Sequence, residues 1–231
     1  MTTIHLIGGE KGGVGKSVVA RLLAQYMIDH DIAFVGFDTD RSHGSLRRFY
    51  GDYAAATVID NYQHLDTIME IAVANPQQRI VVDLAAQTHY PLAQWMDESG
   101  VLELAEDMGI TLCYWNVMDS GKDCVDLLGK LLEQYGSRLS YVLVLNQLRD
   151  NDFSMLESSG LKAWAQGLNA KVMTLKRLHT PVMTKIDANS ASFWAATNKD
   201  GDNPSALGLL ERQRVRMWLR HAYNELHAVG V

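Results

Sequence analysis

The run Gly8-Gly9-Glu10-Lys11-Gly12-Gly13-Val14-Gly15-Lys16-Ser17 follows the apolar segment Ile4-His5-Leu6-Ile7 and opens a helical pattern from Lys16 to about His30. A buried strand feeding a glycine-rich turn and then a helix leaves few folds open, because it is the local architecture of a phosphate-binding loop. Glycines at 12, 13 and 15 allow successive backbone N–H groups to converge on one anion, where side chains would block the approach. The helix adds the positive end of its dipole. Lys16 can reach β- and γ-phosphate oxygens, and the Ser17 hydroxyl suits a magnesium ligand. The expected cradle comprises Glu10, Lys11, Gly12, Gly13, Val14, Gly15, Lys16, Ser17 and Val18.

Apolar, β-rich runs recur at 4–7, 33–37, 79–84, 110–115, 139–146 and 171–175, with helical patterns at 16–30, 63–74, 91–107, 120–135 and 152–166. Near-continuous apolar strands alternating with helices predict a doubly wound α/β fold, a mostly parallel sheet with helices on both faces. With 231 residues, 47% apolar content, four prolines and no Ser/Gly/Pro-rich tract, the chain reads as a single α/β domain over residues 1–231 built on this loop. The longest apolar runs fall far short of a membrane span, and the immediate entry into a strand argues against a signal peptide. Cys113 and Cys124 lack metal-type spacing, as do His43, His64, His89 and His179. A cytoplasmic protein with reduced thiols is expected.

Ligands of such sheets lie beyond the carboxyl ends of the strands. The second strand ends in Asp38-Thr39-Asp40, two carboxylates two residues apart that point the same way. Arg79-Ile80-Val81-Val82-Asp83 fits a Walker B strand, whose Asp83 would hold magnesium through water, since that ion dehydrates reluctantly. Tyr141-Val142-Leu143-Val144-Leu145-Asn146 ends another strand in a side chain that can both donate to and accept from a base edge. A guanine-reading motif would want aspartate three residues later; Arg149 stands there and Asp150 comes one place late, so ATP is favoured over GTP.

The ordinary loop pattern G-x-x-x-x-G-K-[ST] would need glycine at position 10, which is Glu10, and a second lysine, Lys11, precedes the glycines. In this respect Lys11-Gly12-Gly13-Val14-Gly15-Lys16-Ser17 resembles the deviant Walker A motif of the MinD/ParA family of P-loop ATPases. The resemblance implies that Lys11 crosses a dimer interface to the partner's nucleotide. It gives Asp40 the orientation of the attacking water and puts Asp38 near the magnesium shell, with Ser17 and Asp83. It assigns adenine recognition to Asn146 and closure over the base to Leu175, Lys176 and Arg177. The catalytic set would be Lys11, Lys16 and Asp40. The family forms ATP-dependent sandwich homodimers, hydrolyses slowly until a protein partner stimulates it, and places a cargo such as DNA or an envelope machine. Val81-Val82-Asp83, Ala85-Ala86, Tyr90-Pro91-Leu92 and Asp38-Thr39-Asp40 are also similar to a subgroup associated with conjugative transfer and plasmid mobilisation. Departures are Arg41-Ser42 after the paired aspartates, the lack of proline after Asp83, and Gln147 after Asn146. Two alternatives stand beside the switch: a metabolic ligase of the same superfamily, and a nucleotide-binding scaffold without hydrolysis.

A net charge of −6 speaks against a general nucleic-acid binder. Basic residues nevertheless gather late in the chain, at Lys171, Lys176, Arg177 and Lys185 and at Arg212, Arg214, Arg216 and Arg220. They read either as a solvated surface or as a patch for nonspecific DNA. The helical pattern from about Ser205 to His227 is expected to dock on the sheet. No flexible linker sets it apart, so a membrane-targeting tail is not expected.

Overall fold

The computed structural model describes residues 2–9, 11–198 and 207–231. Seven strands, β1 (Thr3–Gly8), β2 (Phe34–Asp38), β3 (Ala54–Ala56), β4 (Arg79–Asp83), β5 (Thr111–Met118), β6 (Ser140–Asn146) and β7 (Lys171–Leu175), form one sheet in the order β3-β2-β4-β1-β5-β6-β7. Every pairing is parallel. The helices are α1 (Lys16–Asp29), α2 (Ser45–Phe49), α3 (Tyr62–Ala74), α4 (His89–Glu98), α5 (Val101–Asp107), α6 (Lys122–Tyr135), α7 (Ser154–Ser158), α8 (Leu161–Gly167), α9 (Thr180–Ala188), α10 (Phe193–Thr197) and α11 (Leu209–Val229). This is the expected P-loop α/β fold. Six strands and the α1 helix lie where the apolar periodicity put them, because strands covered on both faces carry a continuous apolar signal.

The differences have local causes. β3 is three alanines, with no β-branched or aromatic signal, and it forms because Gly36 and Ala54 are small enough to pair closely at the sheet edge. The helix expected over 91–107 breaks into α4 and α5, and the one over 152–166 into α7 and α8. In each case a glycine, Gly100 (φ +59°) or Gly160 (φ +76°), turns the backbone into the left-handed region. The last helix runs Leu209–Val229 rather than from Ser205, which lies outside the described residues.

α11 docks on the sheet as expected and covers its β7 edge. Glu225 accepts the N–H of Thr174 at 2.7 Å, and Trp218 Nε1 donates to the Lys176 carbonyl at 2.6 Å, so strand groups that would template another chain are occupied. Arg21 of α1 is buried. Its Nη1 meets Asp187 Oδ1 of α9 at 2.8 Å, and its guanidinium carbon lies 3.5 Å from the Phe49 ring centre and 4.9 Å from that of Phe193. Nε and Nη2 have no hydrogen-bond partner, and the ring faces compensate that charge. One side chain therefore joins the loop helix to α2, α9 and α10. Arg21→Ala should lower stability by about 2–3 kcal/mol, from the lost packing and pairing of a buried cation. Denaturant unfolding checks this; a change under about 0.5 kcal/mol, the usual surface value, would contradict the keystone role.

Candidate functional site

The loop between β1 and α1 is held from the neighbouring strands. Asn146, at the end of β6, is buried and donates from Nδ2 to the Val14 carbonyl at 2.7 Å. A methyl group on Gly15 would sit 2.3 Å from that nitrogen, so glycine there permits the close approach as well as the left-handed φ of +98°. Gly13 is also left-handed, at φ +75°, whereas a side chain at Gly12 would meet open space. Lys16 is buried and donates to the carbonyls of Gly9 (2.7 Å) and Lys11 (3.1 Å). Ser17 is half-buried at the helix start, and the partly buried Val18 packs against the core. Glu10 lies outside the described residues.

Asp38 and Asp83 are direct cross-strand partners at the ends of β2 and β4. Asp83 is buried, and neither of its carboxylate oxygens meets hydrogen-bond geometry with a partner. Burial, reinforced by the Asp38 charge, pushes its pKa up to about 7, while the nearby Ser17 hydroxyl and Lys16 ammonium pull the other way. Such an orphaned carboxylate beside a hydroxyl fits a cation. Among the described residues no cluster of three or more His, Cys, Asp or Glu could hold a metal alone, so the remaining ligands would have to be water and phosphate, as magnesium prefers.

The other two acidic candidates are engaged by their own loop. Asp38 accepts the N–H groups of Asp40 (3.0 Å) and Arg47 (3.1 Å), tying the strand end to the start of α2; burial still raises its pKa. Asp40 accepts the N–H groups of Ser42 (2.8 Å) and His43 (3.0 Å). Between them Thr39, which no motif singles out, donates its N–H (3.0 Å) and hydroxyl (3.1 Å) to the Asp83 carbonyl and accepts the Ala85 N–H at 2.8 Å. It stitches the two acidic strand ends together.

On the far side of the loop lies a group that sequence reasoning missed. Asp119, one residue past β5, is 6% exposed and faces Lys11 at 3.3 Å and Arg149 at 3.5 Å. It also accepts the Gly121 N–H (3.0 Å) and the Cys124 thiol (3.1 Å). Burial opposes its ionisation, but the hydrogen bonds from Cys124, Gly121 and Lys11 outweigh it and leave the carboxyl below its ordinary value. Arg149, used in the sequence only to exclude guanine recognition, lies against the loop: a methyl group on Gly13 would be 3.6 Å from its Nη2.

The third expected segment is partly occupied. The Leu175 carbonyl accepts the Gln147 N–H, the Lys176 carbonyl accepts Trp218, and Arg177 bonds the Thr180 hydroxyl. Arg214, Arg216 and Arg220 are exposed along α11, but Lys171 opens β7 and Lys176 follows its end, about 16 Å apart along a strand. Lys185 is paired with Glu211 at 2.6 Å.

No family model matches the chain. Its fold is that of MinD. It superposes on MinD of Pyrococcus horikoshii, solved with Mg-ADP, with a TM-score of 0.56 at 14% identity over 100% of this chain and 99% of that one. It superposes on the MinC:MinD complex of Aquifex aeolicus with 0.56 at 13% identity over 97% of each. At such identities the likeness establishes the fold alone. Together with the deviant loop, it defines the class, a P-loop protein resembling the MinD/ParA family. In sequence the chain is similar to TraL of Escherichia coli, 28% identical over the whole of both chains, and to MobD of Acidithiobacillus ferrooxidans, 25% identical over 57% of this chain and 58% of that one. No helix among the described residues is long and apolar enough to cross a membrane.

Because Asp83 keeps its proton to about pH 7 when folded but to about 4 when unfolded, the folded state binds more protons between those values and loses stability as pH rises through that window. Asp83→Asn should flatten the decline and raise the melting temperature of the nucleotide-free protein at pH 7.5 by several degrees, at about 2–4 °C per kcal/mol. Melting curves from pH 4 to 8 test this; an unchanged pH slope would show that the carboxylate is compensated.

Proposed function

We propose that the chain is a switch ATPase of MinD/ParA type, working as one domain over residues 1–231 in the cytoplasm. It binds ATP with magnesium, hydrolyses it slowly, and forms an ATP-dependent homodimer that positions or partitions a cargo under the control of a stimulating protein. The observation that supports this best is the orphaned Asp83 carboxylate under a glycine loop whose Lys16 is held by the loop's own carbonyls. The loop N–H groups from Lys11 to Val18, with Glu10, would cradle the phosphates. Lys16 would exchange carbonyl partners for β- and γ-phosphate oxygens. Magnesium would neutralise charge developing on the phosphates, held by Ser17 and, through water, by Asp83, with Asp38 in the outer shell. Lys11 would leave Asp119 for the partner's nucleotide. Asp40 would orient water once its loop gives up the N–H groups of Ser42 and His43, which the closed dimer would bring about. Asn146 Nδ2 is committed to Val14, so its oxygen would read the adenine amino group. Leu175 and Lys176 would frame the base, with Arg177 supplying the backbone contact, since the carbonyls of the first two are already bonded.

The similarity to TraL and MobD favours a conjugative transfer or mobilisation machine as the cargo. Exposed Arg214, Arg216 and Arg220 support a second surface reading, nonspecific DNA held by the ATP dimer, in which doubling one helix's patch supplies the phosphate contacts that an acidic monomer lacks.

Lys16→Ala should abolish ATP binding in isothermal titration, and unchanged affinity would sink the assignment. Lys11→Ala should still bind ATP as a monomer but run as a monomer on a sizing column with ATP and magnesium, where wild type dimerises. Wild-type dimerisation by that variant would remove the cross-interface role. Gel shifts with nonspecific duplex should require ATP and weaken steeply with salt; no shift at low salt excludes DNA as the ATP-state target.

A further inference from the structure

The loop mouth carries more positive charge than a phosphate-binding loop needs. Besides Lys16, two cations from distant parts of the chain, Lys11 and Arg149, converge on the single buried carboxylate of Asp119. Three features separate this from an incidental surface pair. Asp119 is almost fully buried and is locked by the Gly121 N–H and the Cys124 thiol, so the acceptor is built in place. Arg149 approaches the loop at Gly13, one residue from Val14, where Asn146 of the same strand end is bonded. Lys11 also lies 3.8 Å from a second carboxylate, Asp123, so Arg149, at 59% side-chain exposure against 25% for Lys11, is the looser of the two cations on Asp119.

We propose that Arg149 is a further phosphate-contacting residue of this site, stored on Asp119 in the nucleotide-free chain and transferred to the phosphate chain of bound nucleotide. The inference rests on the ATPase reading. The planar guanidinium can present two parallel N–H groups to phosphate oxygens, which a carboxylate already shared with Lys11 and two other donors accommodates less well. Transfer is an exchange of one charge-assisted pairing for another, with no bond broken and no proton moved. Asp119 is then a positioning residue. It keeps Arg149 over the mouth when the site is empty and competes with the nucleotide for it. The three-residue offset from Asn146 places both side chains on the loop from one strand end, Asn146 fixing the backbone and Arg149 meeting the ligand.

The test is a double-mutant cycle on affinity for fluorescent ATP and ADP with magnesium, using Arg149→Ala, Asp119→Asn and the pair. Arg149→Ala should weaken binding by about five- to tenfold, the range expected for a partly exposed charge-assisted hydrogen bond, with Arg149→Lys in between. Asp119→Asn keeps an oxygen for Gly121 but frees the cation, so it should tighten binding severalfold, and much of that gain should vanish when Arg149 is absent. Nucleotide-free melting should hardly respond to Arg149→Ala, because Arg149 itself is largely exposed and Asp119 keeps Lys11, the Gly121 N–H and the Cys124 thiol without it. A merely structural role would make both single variants weaken binding together with the melting temperature. Wild-type affinity in Arg149→Ala, a loss of affinity in Asp119→Asn, or strictly additive effects would each overturn the inference. Failure of wild type itself to bind would instead overturn the ATPase reading. A wild type that binds, a Lys16→Ala that does not and an indifferent Arg149→Ala would remove Arg149 alone.

Discussion

The register that pairs Asp38 with Asp83 sets two carboxylates side by side at the C-terminal edge of a fully parallel sheet, directly beside the strand that feeds the glycine loop. Among the described residues neither carboxylate oxygen of Asp83 meets hydrogen-bond geometry with a partner, and burial holds its proton well above the ordinary carboxylate range despite the nearby Ser17 and Lys16. A buried unpaired charge is costly, and the core formed around Ile4, Ile7, Leu22, Leu23 and Ile80 offsets that cost elsewhere. Sites that bind cations concentrate such defects, because the ligand supplies the missing partner.

Around this defect the loop is braced from two sides. Toward β2 and β4, Thr39 joins the acidic strand ends through three hydrogen bonds, and Asp38 fastens the entry to α2. Toward β5 and β6, Asn146 holds the loop backbone while Asp119 holds the cations above it. The two sides differ in kind. One is a backbone network around trapped negative charge, and the other a pool of side-chain cations that an anion can draw upon.

The loop helix extends these constraints away from the site. Five residues beyond Lys16, Arg21 stacks on Phe49 and Phe193 and pairs with Asp187, while Arg48 reaches the Asp187 carbonyl and the Ser190 hydroxyl. Movement of α2 with its preceding acidic loop would be felt at α9 and α10. These are the elements on which α11 rests, through the Phe193–Trp218 contact among others. The fold thus provides a packed route between the nucleotide loops and the helix that carries the exposed arginines.

What the sequence determined by itself was local in origin. Strand, glycine turn and helix follow one another within thirty residues, and apolar periodicity marks six of the seven strands, so the P-loop α/β fold and the positions of Lys16, Ser17, Asp38 and Asp83 were legible. The tertiary structure decided what depends on distance along the chain. Lys11 meets Asp119 across 108 positions, and Arg149 reaches Gly13 only because β1, β5 and β6 are neighbours in the sheet. The three alanines of β3 become a strand only beside Gly36. Asn146 shows the division most clearly. Its strand-end position and hydrogen-bonding capacity can be read from the sequence, but that its amide nitrogen grips the Val14 carbonyl follows from packing β6 within reach of the loop, a contact no local pattern encodes.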